Sequence, residues 1–146
     1  MGDYGKRAIA AAGIAVASQA IHTVSAIITM DYYTNPAYFG VWSKLMMPGP
    51  GAPPVEFALY GLLFAFITGW TFAWGYELIQ KALPYRGLKK GESFCAVLFM
   101  VAGIPGALTN ILLFNLPGLL VAWWLFFDNF LTYLAAGIFL ERVYRK

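Results

Sequence analysis

Two side chains that most redox and metal proteins draw on are almost missing. The chain has one cysteine, Cys95, and one histidine, His22. A single cysteine excludes an internal disulfide framework, a CxxC redox pair and a multi-cysteine metal site. A single histidine excludes a HExxH zinc site and bis-histidine haem within one chain. Charge is scarce as well, at 12% of residues, against about 25% in an ordinary soluble domain. Apolar residues fill the space: 60% are hydrophobic and the mean hydropathy is +0.65. A 146-residue globule has too high a surface-to-volume ratio to hide so much apolar surface from water. Lipid is the solvent this composition requires, and the length allows one domain, residues 1–146.

A membrane-crossing helix needs roughly 20 mostly apolar residues. Four windows qualify, at about 8–30, 55–80, 93–114 and 118–140. They are long and lack the period-two alternation of strands. The expected fold is therefore all-α: a four-transmembrane-helix bundle forming a single integral membrane domain.

The basic residues set the expected topology. Nine of the ten (Lys6, Arg7, Lys81, Arg86, Lys89, Lys90, Arg142, Arg145 and Lys146) fall on one side if the spans alternate, and only Lys44 on the other. By the positive-inside rule, both termini and the loop between the second and third spans face the cytoplasm, in the inner membrane. The formal charge of +3 is then a topology signal with some attraction to anionic lipid. No nucleic-acid partner is implied. The expected partners are the bilayer itself and either further copies of the chain or the other subunits of a membrane complex. Ala15-Val16-Ala17 is a passable signal-peptidase site, but the apolar run continues another dozen residues, so an uncleaved first helix is expected.

The connections are unequal. Asn115-Leu116-Pro117 makes a tight turn between the last two spans. The first connection is long, and its Tyr38, Trp42 and Leu45 fall at helical spacing among further aromatics, Tyr32, Tyr33 and Phe39. Aromatics prefer the headgroup boundary, so a short interfacial helix is expected there. The stretch 48–54, rich in proline and glycine, follows as a stiff return that is a connector or a lid.

Lipid supplies no hydrophobic drive between helices, so close packing depends on small residues and hydrogen bonds. The second span carries Gly61, Ala65, Gly69 and Ala73 in an i+4 row, and the first carries Ala11, Ala15 and Ser18 on one face. These read as helix contacts, within one chain or between copies. Trp70, Trp74, Trp123 and Trp124 read as lipid- or partner-facing surface, or as the walls of a flat-ligand pocket. Pro105 removes a backbone donor and is expected to kink the third span, with Thr109 and Asn110 one turn on to satisfy freed carbonyls.

Ionisable groups at bilayer depth cost several kcal/mol unless paired or hydrated. His22 lies about 12 Å and Asp128 about 15 Å below the same membrane face, at a rise of 1.5 Å per residue. Their depths match, so the two can pair if their spans adjoin. Ser18, His22, Ser25 and Thr29 form one helical stripe, flanked by Gln19 and Thr23. Asn129 and Thr132 join Asp128 on the fourth span, Thr109 and Asn110 come from the third, and Thr68 and Thr71 from the second. So many donors and acceptors would be costly against lipid and should converge inside the bundle. Glu77 reads as a salt bridge beside Tyr76 and Lys81. Glu56 and Glu92 read as first-turn charges that suit a helix dipole. No catalytic template and no metal-binding motif is present, so an enzyme is the least supported class.

The run from Tyr38 to Met46, after a small-residue first helix, resembles a region of an uncharacterised domain family of small four-helix bacterial membrane proteins. Leu108-Thr109-Asn110, with an apolar fourth helix carrying Asp128, is similar to the rest of that pattern. The return at 48–54 departs from it. The resemblance implies the four-helix architecture and carries no assigned activity. Glutathione-linked membrane enzymes are of similar length and helix number, but their polar signature on the second helix is absent here.

Together these features lead to a binding or translocation module for a proton, ion or small molecule, built on His22, Asp128, Asn129 and Asn110, with Thr109, Ser18, Gln19 and Thr132 around them. The alternatives are a non-catalytic accessory subunit whose polar seam is only structural, and a tetrapyrrole-binding protein with His22 as axial ligand and the small Ser18 leaving room for the macrocycle.

Overall fold

A computed structural model describes residues 3–49 and 53–145. Four helices are long and apolar enough to cross a membrane, and the described residues contain no strand. They are α1 (Asp3–Ile28), α3 (Val55–Ile79), α4 (Leu88–Leu113) and α5 (Gly118–Tyr144), with a one-turn α2 (Met30–Thr34) after the first. The four-helix bundle expected from composition is the observed fold. Three helices run further than their apolar windows: α1 and α4 start five residues earlier, and α5 continues four residues beyond Leu140. Polar residues can extend a helix past the hydrocarbon because their stems pack while their heads reach water or a partner. Glu92 consequently lies beyond the first turn of α4, whereas Glu56 stays in the first turn of α3.

Helix α1 sits between α3 and α5, and α4 packs on the other side of α5. Small residues make both main contacts. A Cβ on Gly69 of α3 would lie 3.0 Å from the Ala11 Cα and carbonyl oxygen of α1. Ala73, Ala11 and Ala15 are buried beside it. The row Gly61, Ala65, Gly69 and Ala73 thus includes the contact of α3 with α1 inside one chain. Helices α4 and α5 meet at Gly91 and Gly137, where a Cβ on either glycine would overlap the other's backbone carbonyl.

The dry core occupies the end of the bundle that carries the termini. Ala10, Ile14, Ala73, Tyr76, Phe94, Ala136, Leu140 and Tyr144 form it, with Tyr76 edge-on to Phe94 at 5.1 Å, tying α3 to α4. Outside it, Leu59, Leu63, Val101, Leu112 and Leu119 lie exposed, as side chains facing hydrocarbon do.

Both α4 and α5 contain a π-helical stretch, over Phe99–Gly103 and Trp124–Asn129. The first ends two residues before Pro105, and the Ile104 N–H donates to the Phe99 carbonyl. A proline ring crowds the preceding turn and supplies no N–H, and a widened turn relieves both problems. The distortion expected at Pro105 therefore takes the form of a π-turn, and neither Thr109 nor Asn110 makes a side-chain hydrogen bond to a freed carbonyl. Nothing in the sequence marks the second π-turn, which holds no proline or glycine.

The expected helix through Tyr38, Trp42 and Leu45 does not form. After α2 comes a single 3-10 turn, Pro36–Tyr38, capped by the Asn35 side chain, which accepts from the Ala37 N–H at 3.0 Å. Irregular turns follow. Pro36 and Gly40 interrupt helix propagation, and the Ser43 hydroxyl accepts the Met46 N–H at 3.2 Å, offering the backbone an alternative to a helix. Trp42 instead turns inward, 4.8 Å from the Tyr33 ring and 6.1 Å from that of Trp124. Residues 50–52 of the return at 48–54 lie outside the described residues.

Candidate functional site

His22 and Asp128 are brought together. The His22 Nδ1 stands 3.1 Å from the Asp128 Oδ1, and the Ser25 hydroxyl donates to Oδ2 at 2.8 Å. Ser25 in turn accepts from the Trp123 indole N–H at 2.8 Å. Indole, hydroxyl and carboxylate form a chain from α5 to α1 and back. Asp128 is 7% exposed and Ser25 1%, and each carboxylate oxygen has a protein partner. The His22 side chain is 48% exposed. In the Nδ1–H tautomer, the one a facing carboxylate selects, the ring donates to Asp128 and leaves Nε2 free.

This carboxylate lies at the π-turn of α5. A π-turn adds one residue to the helix, about 100° of rotation, without breaking it. Asp128 lies within it, four residues before Thr132, and meets α1 on the buried row that continues through Thr132, Ala136 and Leu140. The His22–Ser25 spacing on α1 then meets the two carboxylate oxygens from one side.

Beside this pair is a cavity of about 340 Å³. Its polar lining is Gln19, His22, Asn110, Asp128 and Asn129; its apolar lining is Tyr33, Met46, Phe57 and Trp124 with Ala26 and Gly61. A neighbouring space, also about 340 Å³, is lined by Ser18, His22, Thr68, Asn129 and Thr132 between apolar side chains. His22 borders both. Within the second, the Thr132 hydroxyl is buried and has no hydrogen-bond partner. Below it the dry core closes the bundle toward the termini.

Seven of the eight expected site residues line these spaces. Thr109 does not: it is exposed on α4 and lines neither space. Thr71 spends its hydroxyl on the Ile67 carbonyl, at 3.0 Å. Of the tryptophans only Trp124 is a cavity wall. Trp123 serves the hydrogen-bond chain and stacks on Phe127 at 4.6 Å, while Trp74 is exposed. The walls contributed by Tyr33, Met46 and Phe57 were not legible as site residues, because the long loop and the start of α3 reach the cavity only by tertiary folding. Burial pushes the Tyr33 phenol above its ordinary value, and the nearby Asp128 charge adds to the shift.

A second set of acids lies at the terminus end. Arg7 of α1 donates to both oxygens of Glu77, and the Tyr144 hydroxyl donates to the same carboxylate. Glu77 thus pairs across helices with Arg7 rather than with Lys81, because α1 extends far enough to bring Arg7 alongside. Glu141 is buried, with Tyr76 donating to it. Cys95 is buried between α4 and α5 and touches neither cavity. Among the described residues, no three His, Cys, Asp or Glu side chains cluster closely enough to hold a metal ion.

The fold and this site define a polytopic four-helix membrane protein with a half-open cavity, lined by both polar and apolar side chains, among its helices. No protein-family model, curated protein or solved structure matches the chain.

Proposed function

We propose that the cavity beside Asp128 binds a small cationic solute, making the chain a binding and translocation module of the inner membrane with its termini in the cytoplasm. One observation carries this reading: an acidic side chain is buried at membrane depth, anchored by Ser25 and His22, and turned toward a cavity walled by aromatic rings. A carboxylate accepts up to four hydrogen bonds, and only two are used here. The aromatic lining of Tyr33, Phe57 and Trp124 suits an ammonium group, which is attracted to aromatic quadrupoles. Gln19, Asn110 and Asn129 offer amide oxygens for its N–H groups. A volume near 340 Å³ is at the small end of the range for ligand pockets. The excess of lysine and arginine at the terminus end supports the orientation. The apolar core toward the termini closes one side, as expected of a site that opens alternately rather than of a continuous pore.

The test is uptake of radiolabelled methylammonium into proteoliposomes, with thermal unfolding in detergent run alongside. Wild-type protein should accumulate the label. Asp128→Asn, close in shape but uncharged, should remove uptake while keeping the fold. If Asp128→Asn and His22→Ala transport as well as wild type and only unfold earlier, the polar seam is structural glue and this reading fails.

A further inference from the structure

At the opposite end of the bundle lies a larger cavity, about 540 Å³, that the cation-binding reading does not use. Four basic side chains from three separate segments converge on it: Lys81 after α3, Arg86 in the following loop, Lys90 in the first turn of α4, and Arg145 after α5. Among the described residues none of the four forms an ion pair. The one acid in the lining, Glu141, already accepts from Tyr76. Topology signalling requires basic residues on this side, but it does not require them to surround one space. Lys89 and Arg142, which serve topology equally well, lie outside the cavity; Lys81, Arg86 and Arg145 are as exposed as they are, and Lys90 is half-buried.

The backbone adds to the field. The loop bends through Tyr85 at φ 71° and Gly87 at φ 60°, which turns Arg86 and the start of α4 to the same space. Gly87 occupies the cap position of α4 and has no side chain to cap it; the Lys90 N–H donates to the Gly87 carbonyl at 2.9 Å, and the N–H groups of Leu88 and Lys89 have no side-chain acceptor. Helix N-termini favour anions both through these donors and through the helix dipole.

We propose that this cavity binds a phosphate group, carried by an anionic phospholipid headgroup or by a soluble phosphate ester. Phosphate matches the lining better than a lone carboxylate does, because several oxygens on one centre can engage cations arriving from three directions. Glu141 fits the same ligand: its remaining lone pairs accept a hydroxyl next to the phosphate, as in a glycerol phosphate. The cavity lies where Ile79, Leu88 and Tyr144 end the apolar spans, which is headgroup depth.

Full-length protein would be delipidated in a zwitterionic detergent, mixed with phosphatidylglycerol or phosphatidylcholine, and examined by native mass spectrometry. Thermal unfolding with added glycerol 3-phosphate forms the soluble arm. Wild-type protein should retain phosphatidylglycerol over phosphatidylcholine, or gain stability with glycerol 3-phosphate. The first result identifies a lipid source and the second a soluble one. Arg86→Gln/Lys90→Gln should weaken either effect at least about tenfold, equivalent to 1.4 kcal/mol. Lys89→Gln/Arg142→Gln removes the same charge outside the cavity and should leave it within about twofold. Equal losses in the two double variants would reduce the effect to diffuse surface attraction and overturn the proposal. So would a wild type indifferent to both probes. If Arg86→Gln/Lys90→Gln does not fold, wild-type retention in about 1 M salt decides, where the screening length is only about 3 Å. Retention there supports a defined site that salt does not screen away, and complete loss overturns it.

Discussion

Gly91 and Gly137 let α4 and α5 touch backbone to backbone, with no room for a side chain on either. A methyl group at one position overlaps the carbonyl of the other, and backbone cannot swing aside as a flexible side chain can. Gly137→Ala should therefore destabilise the protein by about 1–3 kcal/mol, the usual cost of overpacking. Gly106→Ala on α4, where nothing lies within 4 Å, should be neutral or slightly stabilising. Thermal unfolding of both variants in one detergent checks the pair. Equal midpoints would mean that the helices can separate at this crossing without cost.

Ser25 joins Trp123 to Asp128 and receives as well as donates. Ser25→Ala leaves a half-buried indole N–H and one buried carboxylate oxygen without their protein partners. The expected loss is about 1–3 kcal/mol per unsatisfied group. Trp123 emission should shift at the same time, since its N–H has lost its acceptor. Ser25→Thr keeps the hydroxyl and should preserve most of the stability. A Ser25→Ala variant with wild-type unfolding and emission would show the chain to be dispensable.

The π-turn of α5 is an inserted residue, so it can be taken out. Phe126 is 68% exposed within that turn, and deleting it restores an α-helical ladder with both flanks in register. The deletion variant should fold with stability near that of wild type and keep methylammonium uptake, because Asp128 still precedes Thr132 by four residues on the C-terminal flank and still meets His22 and Ser25. Lost uptake in a folded deletion variant would show that the wide turn itself shapes the site.

Tyr33 titrates above the ordinary phenol value because burial disfavours its charged form. The folded state then holds its proton more tightly than the unfolded chain does. Its contribution to stability is full below about pH 10 and falls as pH rises through the folded value. Absorbance titration near the tyrosinate band, wild type minus Tyr33→Phe, should isolate one phenol that ionises late. A difference curve centred at or below the ordinary value would contradict the burial of Tyr33 against the cavity.

Scarcity of charge, four apolar runs and the placement of lysine and arginine are properties of composition and order, so the helix count and the paired depths of His22 and Asp128 could be read without coordinates. The small-residue row on α3 was legible for the same reason: helical period alone puts Gly61, Ala65, Gly69 and Ala73 on one face. Which helix that face meets is a question of packing, and only the tertiary structure places Ala11 against Gly69. The π-turn at Trp124–Asn129 has no local signal, because its residues suit an ordinary helix and the wider turn is stabilised by the contacts it allows. The aromatic walls from the first loop, the Arg7–Glu77 pair and the four bases around the second cavity come from distant segments. Sequence determined what each segment could bury and at what depth. Folding decided which side chains share a space, since that depends on helix rotation and helix order, which hydropathy does not encode.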